Sequence, residues 1–87
     1  MKYLCKGQES LKNINLLLQL TNTQEDTQTG IIDHYVNNFS ISHAAAINGL
    51  NRGNLSVAVT ELNRIAAVVE QVIESRVYGL QRTKLIN

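Results

Sequence analysis

The apolar residues Leu55, Ala58, Val59, Leu62, Ile65, Ala66, Val69, Val72, Ile73 and Val77 recur at intervals of three and four. That spacing aligns them along one side of an α-helix. A helix from Asn51 or Asn54 to Val77 runs to about 35 Å at 1.5 Å per residue. A chain of 87 residues buries only about 60% of its unfolded surface, and its remaining segments are too short to cover so long a stripe. Part of it is therefore expected to meet another subunit.

Three shorter helices precede it. From about Glu9 to Leu20, residues Leu11, Ile14, Leu17 and Leu18 form one apolar line, with Ser10 as a cap. A second helix is expected to start at Thr23, with Asp26 in its first turn and Ile31, Ile32, Tyr35 and Val36 inward, although Gly30 interrupts it. The third runs from Ser40, its cap, to about Asn48. Its run Ala44, Ala45, Ala46 lets another helix approach closely, and Gly49 ends it in the left-handed conformation. The fold class expected is all-α: residues 1–87 form one domain of four to five helices, containing a helix-turn-helix and a long C-terminal helix.

Several function classes have nothing to stand on. Cys5 is the only cysteine, so no disulfide closes within the chain. It stands near Lys2 and Lys6 but in a short terminal segment, and is read as incidental. His34 and His43 lie nine apart on different helices without carboxylates at ligand spacing, so no metal is expected. There is no Ser-His-Asp spacing, no carboxylate pair in a pocket and no Gly-rich phosphate loop. An enzyme, a cofactor and a small-molecule substrate are accordingly not expected. The start MKYLCKG has too short an apolar stretch for a signal peptide, and no run reaches the roughly 18 apolar residues of a membrane helix. A cytoplasmic protein without a membrane partner is the expectation.

The net charge of +1 hides a segregated distribution. Lys2, Lys6 and Lys12 make the N-terminus basic, Glu25, Asp26 and Asp33 make the middle acidic, and Arg76, Arg82 and Lys84 make the C-terminus basic. Arg52 and Arg64 lie between. Position, more than sum, decides whether such charge meets nucleic acid.

The segment ISHAAAINGLNRGNLSVAVT, Ile41 to Thr60, fits two short helices joined by a tight glycine-containing turn. Ala45 falls where the first helix must be small, Gly49 where the turn needs a positive φ, and Leu50, Leu55 and Ala58 where the helices lock together. Asn48 departs from this pattern, which usually has an apolar residue there. In such a unit the start of the second helix is offered to DNA, presenting Asn51, Arg52, Asn54, Ser56, Val57 and Thr60, with Arg64 a turn further on. Arg52 is the strongest contact, because a guanidinium donates bidentately to guanine or sits on phosphate. Asn51 and Asn54 can read adenine or bond the backbone, and Ser56 and Thr60 reach phosphate. The alternative is a plain helical hairpin in which Asn and Gly serve the turn.

The stretch NRGNLSVAVTELNRI, Asn51 to Ile65, resembles the signature block of the PapB-type adhesin biosynthesis transcriptional regulators of enteric bacteria. Upstream, LLLQLTNTQED is similar to that family's Leu-rich helix and polar segment, and DHYVNNFS to its Asp, aromatic, Val and Phe-Ser series. The resemblance covers about residues 14–70. Ile41 departs from it, since a basic residue commonly follows that Ser. The resemblance implies regulation of a fimbrial or other adhesin operon, through binding of A/T-rich double-stranded promoter DNA by a homo-oligomer with minor-groove involvement. Arginine suits a narrow A/T-rich minor groove as well as the major groove, so both placements stay open.

The expected DNA-binding residues are thus Asn51, Arg52, Asn54, Ser56, Thr60 and Arg64, and the expected oligomerisation residues are Leu17, Leu62, Ile65, Val69 and Ile73. The competing function is a helical interaction module that uses the apolar stripe without touching DNA.

Overall fold

The computed structural model describes residues 3–86, with side chains described over residues 3–77. Four helices follow one another: α1 (Leu11–Leu18), α2 (Glu25–Tyr35), α3 (Ile41–Ile47) and α4 (Arg52–Ile86). No strand occurs among the described residues. This is the all-α architecture with a long last helix that the periodicity predicts.

Two helix starts form where serine can satisfy a free backbone amide. Ser10 Oγ accepts from Asn13 N at 3.1 Å, and Ser40 Oγ accepts from His43 N at 3.1 Å. The start of α2 differs from expectation. Thr23 is not its cap: the boundary residue is Gln24, which makes no side-chain capping bond. The Thr23 hydroxyl instead donates to Thr21 Oγ1 at 2.8 Å, and its carbonyl accepts from Gln28 Nε2 at 2.8 Å. Glu25 and Asp26 in the first turn complement the helix dipole in place of a cap.

The turn between α3 and α4 is fully accounted for by its backbone. Leu50 N donates to Ala45 O at 2.8 Å and Gly49 N to Ala46 O at 3.4 Å, the paired closure that a left-handed residue permits. Gly49 supplies it with φ +66°, and Leu50 then packs against the core. Asn51 caps the next helix, its Oδ1 accepting from Asn54 N at 3.0 Å.

The core gathers Ile14 and Leu18 of α1, Ile31 and Tyr35 of α2, Ala44 and Ala45 of α3, and Leu55, Val59, Leu62 and Ala66 of α4, together with Leu4. Gly30 is buried in α2 because a Cβ there would lie 2.8 Å from Leu50 Cδ1 and 3.1 Å from Leu55 Cδ1. Asn48 replaces an apolar contact with a polar tie: its Nδ2 donates to Asp33 Oδ2 and to Ala44 O, each at 2.8 Å. The N-terminal segment is strapped across the bundle. Tyr3 N and Leu4 N both donate to Asn63 Oδ1 at 2.9 Å, and Gly7 N and Glu9 N donate to the carbonyls of His34 and Tyr35.

The long axis of the molecule, 57 Å against 23 and 22 Å, is set by α4, whose 35 residues extend about 52 Å. Its core-facing line ends at Ala66, and beyond it Val72, Ile73 and Val77 are about half exposed.

Candidate functional site

The helix places three of the six candidate DNA-binding residues on one side of α4. Arg52, Ser56 and Thr60 follow at four-residue steps, each about 40° further round, and form a slanting ridge; Arg64, one step on, lies about 120° around from Arg52 and lines a different depression with Leu20, Thr21 and Asn22. Arg52, Thr60 and Arg64 are exposed and Ser56 is half-buried. Asn54 is exposed as well, but at 3.6 residues per turn it lies about 160° around the helix from Arg52. Asn51 stands at the cap, where its side-chain oxygen serves the helix start. The two asparagines therefore do not share the ridge.

At the head of the ridge, Arg52 Nε donates to Ser42 Oγ on α3 at 2.6 Å. The guanidinium is held where α3 and α4 meet. Behind Ser42, the rings of His43 and Phe39 stack with centroids 4.7 Å apart, and His34 Nδ1 bonds Phe39 O at 2.9 Å, which fixes the loop leading into α3. Further along, Thr60 lines a shallow depression with Lys6, Ile41 and Asn63. Lys6 reaches this flank because the Asn63 strap draws the N-terminal segment over α4. Neither Ser42 nor Lys6 can be assigned to the site from local spacing, since their proximity comes from tertiary packing.

The depression beside Thr60 carries Lys6, whereas the cleft between the start of α2 and the C-cap of α3 is lined by Glu25 and Asp26 with Asn48. Arg64 lies one step past Thr60, turned toward the α1–α2 connection, and is engaged by Glu61, with Nη2 to Oε1 at 2.6 Å and Nε to Oε2 at 3.0 Å. That hydrogen bond holds the Glu61 carboxyl below, and the Arg64 guanidinium above, their ordinary ranges. The i, i+3 spacing of Glu61 and Arg64 is a sequence signal for this pair.

The expected oligomerisation residues divide. Leu62 is 1% exposed and belongs to the chain's own core: it lies on the segment of α4 that the other helices cover, so it offers no surface to a partner. Leu17, Ile65 and Val69 are half-buried and Ile73 is exposed. Leu16, Leu17, Val69 and Ile73, together with Glu9 and Glu70, line a groove of about 400 Å³ between α1 and α4.

Among the described residues no group of three or more His, Cys, Asp or Glu side chains is arranged to hold a metal ion. Among them, too, no helix is long and apolar enough to cross a membrane. The chain matches no family model, and no curated protein or solved structure matches it.

Proposed function

We propose that this protein is a DNA-binding transcriptional regulator that uses α3, the turn and the start of α4 as a helix-turn-helix. The observation that carries the reading is the ridge of Arg52, Ser56 and Thr60 at the start of α4, with Arg52 held on Ser42 of α3 and Lys6 lining the depression beside Thr60. A guanidinium held by a neighbouring helix loses less freedom on binding, and the short hydroxyls of Ser56 and Thr60 suit phosphate oxygens. The resemblance of residues 14–70 to PapB-type regulators extends the proposal to A/T-rich promoter DNA of a fimbrial or adhesin operon, bound by a homo-oligomer in the cytoplasm. No catalytic step and no cofactor belong to it.

A single ridge headed by one arginine gives weak binding on its own, and this favours several subunits on one DNA. The test is a titration into labelled A/T-rich and G/C-rich duplexes at several salt concentrations, read by anisotropy. Preferential, cooperative A/T-rich binding whose log affinity falls linearly with log salt is expected. Equal or absent binding to both duplexes would overturn the proposal. The exposed apolar residues of distal α4 would then favour the interaction-module reading.

A further inference from the structure

We infer that the N-terminal segment belongs to the DNA-binding surface: Asn63 positions it across α4 so that Lys6 meets a backbone phosphate beside Thr60. The inference rests on the regulator reading. It adds a contact and a positioning residue that lie outside the helix-turn-helix.

The segment is tied down on both sides of Lys6. Before it, Tyr3 N and Leu4 N share Asn63 Oδ1 at 2.9 Å, and the Leu4 side chain is buried in the core. After it, Gly7 N donates to His34 O at 3.2 Å and Glu9 N to Tyr35 O at 3.1 Å. Cys5 N closes the turn between them on Glu9 Oε2 at 2.8 Å. Gly7 has φ +72°, and a Cβ there would run into the Asn38 side chain, so the chain passes closely over the residues that follow α2. A terminal segment is held in one place only when its backbone is bonded in this way. Lys6 is thus carried on a fixed backbone.

The place to which it is carried matters. Asn63 follows Arg52 by eleven residues, about three turns along α4 and about 20° round the helix, so the segment crosses α4 in line with Arg52. Lys6, Thr60, Ile41 and Asn63 line the depression at that crossing, and Thr60 stands about 12 Å along the axis from Arg52. Lys6 is exposed. The one ion pair among the described residues joins Arg64 to Glu61, so none of their carboxylates neutralises Lys6 or Arg52. The surface therefore offers two cations, one from α4 and one from the N-terminal segment, with the Thr60 hydroxyl beside the second. A lysine ammonium is a point charge without the planar fork that reads a base edge, and phosphate is the group it suits. Lys12 differs in place: it is exposed on α1, a helix that packs on α2 and α4 but not on α3.

The test is the anisotropy titration of A/T-rich and G/C-rich duplexes with the full chain and its variants. Lys6→Gln should weaken binding about eightfold at roughly 0.1 M salt, by the same factor on both duplexes, and lower the slope of log affinity against log salt by about 0.9. Lys12→Gln removes an equal charge from α1 and should leave the wild-type slope unchanged. Asn63→Ala keeps the Lys6 charge and frees the segment, so exchange of the Leu4 amide should accelerate in it and stay at the wild-type rate in Lys6→Gln. In the Asn63→Ala background Lys6→Gln should then cost less than about twofold. Gly7→Ala unseats the segment from its other end without touching α4 and should reproduce that loss of coupling.

A Lys6→Gln chain that binds as wild type does, or a loss matched by Lys12→Gln, would overturn the contact. An equal Lys6→Gln loss in the wild-type, Asn63→Ala and Gly7→Ala backgrounds would overturn the positioning by Asn63. In both cases the wild-type chain still binds DNA, and the regulator reading stands. A wild-type chain that binds neither duplex would overturn that reading and this inference together.

Discussion

Arg52 Nε, at the first residue of α4, donates a 2.6 Å hydrogen bond to Ser42 Oγ of α3. The two helices of the turn unit therefore place the guanidinium jointly. Arg52→Ala is expected to weaken DNA binding by about 1–3 kcal/mol where the guanidinium contacts a base. Ser42→Ala keeps the charge and loses only its positioning, so a smaller loss, below about 1 kcal/mol, is expected. Anisotropy titrations of both variants check the order. An Arg52→Ala affinity equal to wild type would place DNA contacts elsewhere or nowhere.

Asn48 stands where helix-turn-helix units usually carry an apolar residue, and its Nδ2 bridges Asp33 Oδ2 and Ala44 O. Asn48→Ala leaves the half-buried Asp33 carboxylate short of one donor, although Asn37 Nδ2 still serves Oδ1 at 2.9 Å. A loss of about 1 kcal/mol in unfolding free energy is expected. A denaturant titration measures it, and an Asp33→Ala, Asn48→Ala double-mutant cycle should return a coupling of similar size. Additive single effects would mean that the bridge contributes nothing.

Gly49 has φ +66°, and a methyl group in place of its α-hydrogen would meet no atom within 4 Å, so strain and crowding separate cleanly there. Gly49→Ala should cost about 1–2 kcal/mol through backbone conformation alone. Gly49→Asn should cost less, since asparagine tolerates the left-handed region better. Equal melting temperatures for wild type and Gly49→Ala would contradict the turn geometry.

The features legible in the sequence are those set by neighbours a few residues apart. Ser10 and Ser40 cap where their type and position predict, Gly49 ends α3, and the ridge at four-residue steps follows from helical geometry alone. What is not legible depends on distant packing. Periodicity puts Leu62 and Ile73 on one stripe but does not say where the globule ends, and so it does not separate the core residue from the exposed one. The departure at Asn48 is visible in the sequence, while its cause requires Asp33, fifteen positions away. Gly30 reads as a weakness in α2 because Leu50 and Leu55, the side chains that need its space, are remote in sequence. Thr23 has the residue type of a cap, yet its hydroxyl is taken by Thr21.

Tyr35 is 3% exposed, and its hydroxyl donates to Val59 O at 3.1 Å. Burial, followed by the nearby Glu9 and Cys5, pushes its pKa from 10.0 up to about 12. The folded state thus holds this proton more tightly than the unfolded chain. Its contribution to stability is fully present below pH 10 and is lost as pH rises from 10 toward about 12. The melting temperature should fall across that window. Tyr35→Phe, which has no proton to lose, should start about 1 kcal/mol less stable and show a shallower alkaline decline. A decline as steep as that of wild type would assign it to other groups.

Glu61 occupies the Arg64 guanidinium through both carboxylate oxygens and cancels its charge one step past Thr60. Glu61→Gln removes the negative charge and leaves Arg64 available to phosphate. Both side chains are well exposed, so little change in stability is expected. DNA affinity should rise, and the slope of log affinity against log salt should steepen by about 0.9, the amount for one further neutralised phosphate. Because the Arg64 hydrogen bond holds the Glu61 carboxyl below its ordinary range, the wild-type pair stays ionised at mildly acidic pH and the variant's advantage should persist there. A tighter complex with an unchanged salt slope would mean that Glu61 had only repelled the DNA, and that the contact ridge ends at Thr60.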